Sequence, residues 1–333
     1  MAAEIADFGR TQAGETVSVA TLRSAALTVR VLTLGAILQD VRLAGVGRSL
    51  TLGSDSVADY EGTMRFHGSL IAPVANRIGG NRAEVGDQVL RFDPGPEQPN
   101  ILHSGAAGTH LKLWSMADCG PDAVTLALDL PDGEGGFPGE RTIRATYSLP
   151  EPDCLRLEVV AETDRPTLFN AANHSYWNLD GSESWQGHRL RIAADRYLPA
   201  TGDVLPTGEV APVAGTVFDF RADRVAGPGQ PPLDHCFCLS EGRVAFRPVL
   251  TLTGATGVTM TLSTTEAGVQ IYDGSGAARP GRWAGEGVAI EAQGWPDAPN
   301  NPGFPSILLS PGESYRQITE WRFAPPKISR RSA

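Results

Sequence analysis

The chain has 333 residues, 41% hydrophobic and 20% charged, with 38 Gly and 25 Pro spread along it as turn formers; this composition supports a large buried core and argues against disorder. A formal charge of −10 and a pI near 5.1 leave no long-range attraction for phosphate polymers or anionic lipid, so neither nucleic acid nor a membrane is expected as a partner. Lysine occurs only at Lys112, beside a strand-like run, and Lys327, in a Pro-rich tail, and neither setting suggests the desolvated amine of a Schiff-base enzyme.

Residues 1–10 include Glu4 and Asp7 and lack the basic start and apolar run of a secretory signal, so a cytoplasmic protein is expected. The most apolar early stretch, residues 24–46, is broken by Arg30, Asp40 and Arg42 before it reaches the roughly 18 to 20 apolar residues of a membrane span. Beyond it the dominant period is two. Leu155, Leu157 and Val159 alternate with Arg156 and Glu158, which predicts a half-buried strand. Similar runs rich in Val, Ile, Leu, Thr and aromatics predict strands at 123–130, 141–149, 258–265, 287–293 and 314–323. Between them lie turn clusters such as Pro131-Asp132-Gly133 and Pro311-Gly312-Glu313. Many short strands without helical crossovers predict an all-β fold, a sandwich or barrel. No linker or repeat divides the chain, so a single domain over 1–324 is expected, followed by a frayed tail at 325–333. A long Pro/Gly connection at 226–233 runs straight into Asp234 and is a candidate functional loop.

Four cysteines, Cys119, Cys154, Cys236 and Cys238, are too few for a disulfide scaffold and fit a reducing compartment. Cys236 and Cys238 beside His235 lack the second ligand pair of a zinc site. Their alternation with Phe237 and Leu239 reads as a strand.

Candidate chemistry centres on two polar clusters and one acid. His103 lies in Asn100-Ile101-Leu102-His103-Ser104-Gly105, and His174 in Asn173-His174-Ser175-Tyr176-Trp177-Asn178. The second cluster joins hydrogen-bonding groups to flat aromatic faces, the combination that meets sugar hydroxyls and C–H faces. Glu291 interrupts the apolar run Val288-Ala289-Ile290. It is either a carboxylate held in a cleft, with its pKa raised toward the range of a general base, or an outward-facing acid on a half-exposed strand; the pattern leaves both open. Asn76-Arg77 either presents a guanidinium fork to sugar oxygens or forms an ordinary surface ion pair. No P-loop, G-x-S-x-G or H-E-x-x-H signature occurs.

In order along the chain, Asn76-Arg77-Ile78, Leu102-His103, Pro131-Asp132-Gly133 through Pro138-Gly139, Asn173 through Leu179, Leu205-Pro206-Thr207-Gly208-Glu209, Phe218-Asp219-Phe220-Arg221, Asp234-His235, Gly268-Val269-Gln270, Glu291-Ala292-Gln293 and Pro296-Asp297-Ala298 resemble the aldose 1-epimerase (galactose mutarotase) family. The resemblance implies one large antiparallel β-sandwich, a supersandwich, with a free monosaccharide bound in an open cleft and with no metal or organic cofactor. It also implies that Glu291 takes the proton of the anomeric O1 hydroxyl while His174 protonates the ring oxygen, and that Asn76, Arg77, His103, Tyr176, Asp234 and Gln270 hold the sugar. A matched pair of this kind is expected to rest with His174 cationic and Glu291 ionised. The assembly is expected to be a monomer or homodimer. Two departures from the family pattern, Ala72-Pro73 and Gly294-Trp295, are expected near the cleft, where they would bear on sugar choice. A hexose-phosphate 1-epimerase and a non-catalytic carbohydrate-binding protein remain as alternatives.

Overall fold

The computed structural model describes residues 3–95 and 99–326; of the expected tail 325–333, everything from residue 327 on lies outside the described residues. Among the described residues strands dominate, and the one α-helix, Val57–Glu61, has five residues. Among the described residues no helix is long and apolar enough to cross a membrane.

The predicted strands are present with small shifts at their ends: Ala123–Leu130, Arg141–Glu151, Thr259–Thr264, Val288–Gln293 and Tyr315–Ala324. Most join an antiparallel nine-stranded sheet running Ser115–Cys119, Ala123–Leu130, Arg141–Glu151, Cys154–Thr163, Tyr315–Ala324, Thr259–Thr264, Arg247–Thr253, His188–Ile192 and Arg224–Ala226. A six-stranded sheet carries Tyr176–Trp177, Val288–Gln293, Gly268–Tyr272, Asp234–Cys238, Arg196–Tyr197 and Ala211–Pro212 in that order. A four-stranded meander covers Glu4–Arg10 to Leu38–Leu43. The strand reading of Cys236 and Cys238 holds, and both thiols are free.

Side chains alternate between the faces of a sheet, and in the six-stranded sheet this separates core from site. On one face, Trp177, Ile290, Ile271 and Phe237 join the main apolar core. There Trp177 meets Trp321 and Phe323 of the nine-stranded sheet, with ring centroids 5.8 and 5.7 Å apart. Removing an aromatic ring from a layer packed this way costs about 3–5 kcal/mol. A hydrogen bond also crosses the layers: Gln317 Nε2 donates to the carbonyl of Ala292, next to Glu291, over 2.8 Å. The two sheets face each other as a sandwich, and the strand bearing Glu291 is tied to both.

The opposite face of the six-stranded sheet carries the polar residues. Tyr176 pairs with Ala289; Glu291, two residues on, pairs with Gln270; Tyr272 pairs with Ala289 and with Asp234. Period two therefore puts Tyr176, Glu291, Gln270, Tyr272 and Asp234 on one surface, although they come from four separate stretches of chain.

Candidate functional site

That surface floors a cleft of about 300 Å³, lined by Glu291, His174, Tyr176, Asp234, Asn76, Arg77 and His103 together with a rim from residues 63 to 67 and from Tyr272 to Ala277. Seven of the eight residues expected at the site line it. Gln270, cross-strand from Glu291, is buried; its Nε2 donates to Asp234 Oδ1 over 2.6 Å, and it lines a smaller adjoining recess that shares Asn76 and Asp234 with the cleft.

His174 is held by the backbone. Its N–H donates to the Ser69 carbonyl over 2.9 Å, and its own carbonyl accepts the Gly68 N–H over 3.0 Å. Gly68 has φ of 74°, and a Cβ there would lie 2.4 Å from the Leu38 carbonyl oxygen, so only glycine allows this close approach. Asn173 braces the same turn by donating from Nδ2 to the Gly68 carbonyl over 2.9 Å.

The Asn76–His103 pair is held by reciprocal bonds. The His103 N–H donates to the Asn76 carbonyl, and the Asn76 N–H donates to His103 Nδ1 over 3.1 Å. Since His103 Nδ1 accepts, the ring proton sits on Nε2, which makes that nitrogen a hydrogen-bond donor. Asn76, His103, Ser104 and Asp297 all adopt positive φ, a strained conformation for residues other than glycine. Asp297 stabilises it by accepting the Gly79 N–H and donating its own N–H to the Arg77 carbonyl. The result is an Arg77 directed across the floor, its Nη1 3.9 Å from Asp234 Oδ2.

At the centre His174 Nε2 stands 3.5 Å from Glu291 Oε1. Glu291 is 2% exposed, so the outward-facing reading of that acid is excluded. Burial first, then the Asp234 carboxylate, hold the Glu291 carboxyl well above the usual carboxylate range, against the pull of Arg77. Burial lowers His174 to about 4. Both shifts favour the neutral forms and so run against the expected resting state of cationic His174 with ionised Glu291. The physical reason is desolvation, which penalises an ion pair taken from water more than a short separation returns. His174 Nδ1 and Glu291 Oε2 are buried without partners, the sort of unsatisfied groups that mark a site awaiting ligand.

Ligand-capable atoms of His103, His174 and Glu291 all lie within 4.8 Å of one another, so a metal is the competing use of this cluster. The tautomer of His103 argues against it, because a protonated Nε2 offers no lone pair to a cation. The arrangement instead presents one proton-sharing pair and several fixed donors and acceptors to a polar ligand.

Sequence reasoning missed the aromatic wall. The Phe66 ring lies 4.7 Å from His103 and 5.8 Å from His174, stacked on the latter, and His67 stacks on Tyr176 at 4.2 Å. No periodicity marks this segment, which is a loop. Two other expected features have their place in the packing around the cleft. Ala72, Pro73, Gly294 and Trp295 do not line the cleft: the Ala72 and Pro73 carbonyls accept from Thr109 and Asn170, and Trp295 packs its edge on Phe304 while donating to the Ala267 carbonyl. These departures repack the layer beneath the floor. Nor does the 226–233 loop reach the ligand space; Asp273 Oδ2 accepts the N–H groups of Gly229 and Leu233, and the loop serves to place Asp234.

Residues 18–322 match the family described as Aldose 1-epimerase. The chain is 33% identical to the galactose mutarotase of Mus musculus over 93% of its own length and 95% of that protein. It is 31% identical to the aldose 1-epimerase of Escherichia coli K12, over 93% and 96% of the two chains. The crystal structure of galactose 1-epimerase from Lactobacillus acidophilus NCFM superposes with a TM-score of 0.84 at 26% identity, covering 97% of this chain and 99% of that one. Fold, cleft and sequence agree: this chain belongs to the aldose 1-epimerase family.

Proposed function

We propose that the protein interconverts the α and β anomers of a free aldose, with Glu291 as the base at the O1 hydroxyl and His174 as the acid at the ring oxygen. The observation that carries this reading is the buried His174–Glu291 pair, 3.5 Å apart on the cleft floor. O1 and the ring oxygen hang from the same carbon, so a base and an acid serving both must stand this close. Taking a proton from O1 while delivering one to the ring oxygen breaks the hemiacetal C1–O bond without full charge on either oxygen. The aldehyde then turns about C1–C2, and the same groups in reverse close the other anomer.

The pair carries one proton throughout. Ring opening starts from carboxylate and imidazolium and ends with carboxylic acid and imidazole, which is the form that burial favours in the empty cleft. Sugar binding has therefore to move the proton from Glu291 to His174, and a ligand that fills the vacant hydrogen bonds of both groups, with Arg77 across the floor, supports that shift. Asn76, Arg77, His103, Tyr176 and Asp234 hold the pyranose so that only the C1–C2 bond turns, and Gln270 orients Asp234. The four free cysteines support a reducing, cytoplasmic setting.

The test is polarimetry of freshly dissolved α-D-galactose and α-D-glucose, corrected for spontaneous mutarotation. Acceleration is expected with a neutral hexose; none with either hexose or with pentoses sinks the reading, and a preference for hexose 6-phosphate moves it to the phosphate branch. The rate is also expected to be bell-shaped in pH. It falls at the acid end as the pair takes a second proton near the His174 value of about 4, and at the alkaline end as the raised Glu291 carboxyl gives up the only one. A rate independent of pH from about 4 to about 9 is incompatible with the pair.

A further inference from the structure

A second concavity, of about 270 Å³, is nearly as large as the cleft and shares no lining residue with it. The two are neighbours: Leu52, on its wall, packs against Tyr176 of the cleft, and the loop 274–287 gives Gly276 to the cleft and Arg279 to the second site.

Its lining brings together Arg30, Arg42, Arg48, Arg279 and Arg282 from separate stretches of a chain whose net charge is −10. Three of these are neutralised locally. Arg30 faces Asp55 at 3.3 Å, Arg42 faces Asp40 at 2.6 Å, and Arg279 pairs with Glu286. The other two are not. Arg48 donates only to neutral acceptors, the Leu179 carbonyl and Thr256 Oγ1, and the exposed side chain of Arg282 has no hydrogen bond or ion pair among the described residues. The lining itself holds five guanidiniums against three carboxylates, an excess of two positive charges, with Asp59 and Asp180 set one hydroxyl back behind Ser54 and Thr256.

A concave surface with excess charge concentrates counter-ions, and guanidinium forks match phosphate oxygens in geometry as well as charge. Leu52 is the only large apolar side chain of the lining, so the body of an occupant must be hydrophilic. We propose that this concavity is a binding site for a monosaccharide-sized phosphate monoester, whose dianion matches the excess charge and whose hydroxyls meet the polar walls. The proposal does not depend on the reading of the cleft.

The experiment is calorimetric titration of the full chain at low ionic strength with glucose 6-phosphate, inorganic phosphate and glucose, each with and without saturating galactose. Saturable binding of glucose 6-phosphate is expected, persisting under galactose, at least tenfold tighter than inorganic phosphate and weakened by added salt. Arg282→Glu, a change at an exposed residue without partners, removes the charge excess and should weaken that binding at least tenfold while leaving hexose mutarotation unchanged. No saturable binding, displacement by galactose, equal affinity for inorganic phosphate, or undiminished binding in Arg282→Glu each overturns the site. Failure of the cleft reading shows separately, as no acceleration of galactose mutarotation by wild type.

Discussion

Glu291→Gln and His174→Asn should each lower kcat for anomer exchange by about 10²- to 10⁴-fold, the contribution of a positioned acid or base, with a much smaller change in KM. Glutamine keeps the shape of the side chain and can still hydrogen-bond, and it removes an acid from a strand with every residue buried. Asparagine at 174 keeps a polar group beside Phe66 and Tyr176 while removing the titratable ring. Because the two groups pass one proton between them, the double variant should be little worse than the poorer single one. Polarimetry on the three variants, with circular dichroism to verify folding, decides the matter. Either single variant working within threefold of wild type would remove that residue from the chemistry.

The second large effect concerns stability and pH. Burial lowers all six histidines: His67 to about 3, His110 and His174 to about 4, His103 well below its ordinary value, and His188 and His235 in the same direction. In the unfolded chain they titrate near 6.5. Below that pH the unfolded state binds protons that the folded state refuses, so the stability these neutral rings contribute is fully present above about 6.5 and is lost as pH falls toward their folded values. For His110 and His174 this is on the order of 3 kcal/mol each. Four acids act in the opposite sense. Burial raises Glu266 to about 7, and Glu291, Asp234 and Asp297 upward as well, so they favour the folded state at low pH and lose that advantage as pH rises. Between about 4.5 and 6.5 six histidines outweigh four acids, and below about 4.5 the unfolded carboxylates protonate and the offset ends. The urea midpoint should therefore fall from pH 7 to pH 5 and more steeply toward pH 4. A midpoint constant from pH 7 to pH 4 would mean that the histidines are hydrated and titrate normally.

Much of the site was legible because strand alternation is a local property. Tyr176 and Trp177 are adjacent, so one must face the core and the other the cleft, and the polar character of their neighbours indicates which. Glu291 stood out as an acid inside an apolar run. The strand ends moved by a residue or two, since fraying depends on turn geometry that composition only suggests. Phe66 and His67 stayed hidden because a loop has no period, and their place against His103, His174 and Tyr176 follows from the Gly68 and Ser69 contacts to Asn173 and His174. Gln270 was read as a sugar contact from its motif, and sheet register sets it directly across from Glu291, with its amide bonded to Asp234.

The sequence by itself determined the all-β class and the family and singled out Glu291 and His174 as candidates for base and acid, because these rest on residue types, on period two and on motifs kept in order. Only the tertiary structure decided that His174 and Glu291 are buried side by side, that Ala72-Pro73 and Gly294-Trp295 do not line the cleft, and that five arginines meet in a second hollow. Desolvation, sheet register and charge convergence depend on residues brought together from distant parts of the chain, and no local pattern encodes those distances.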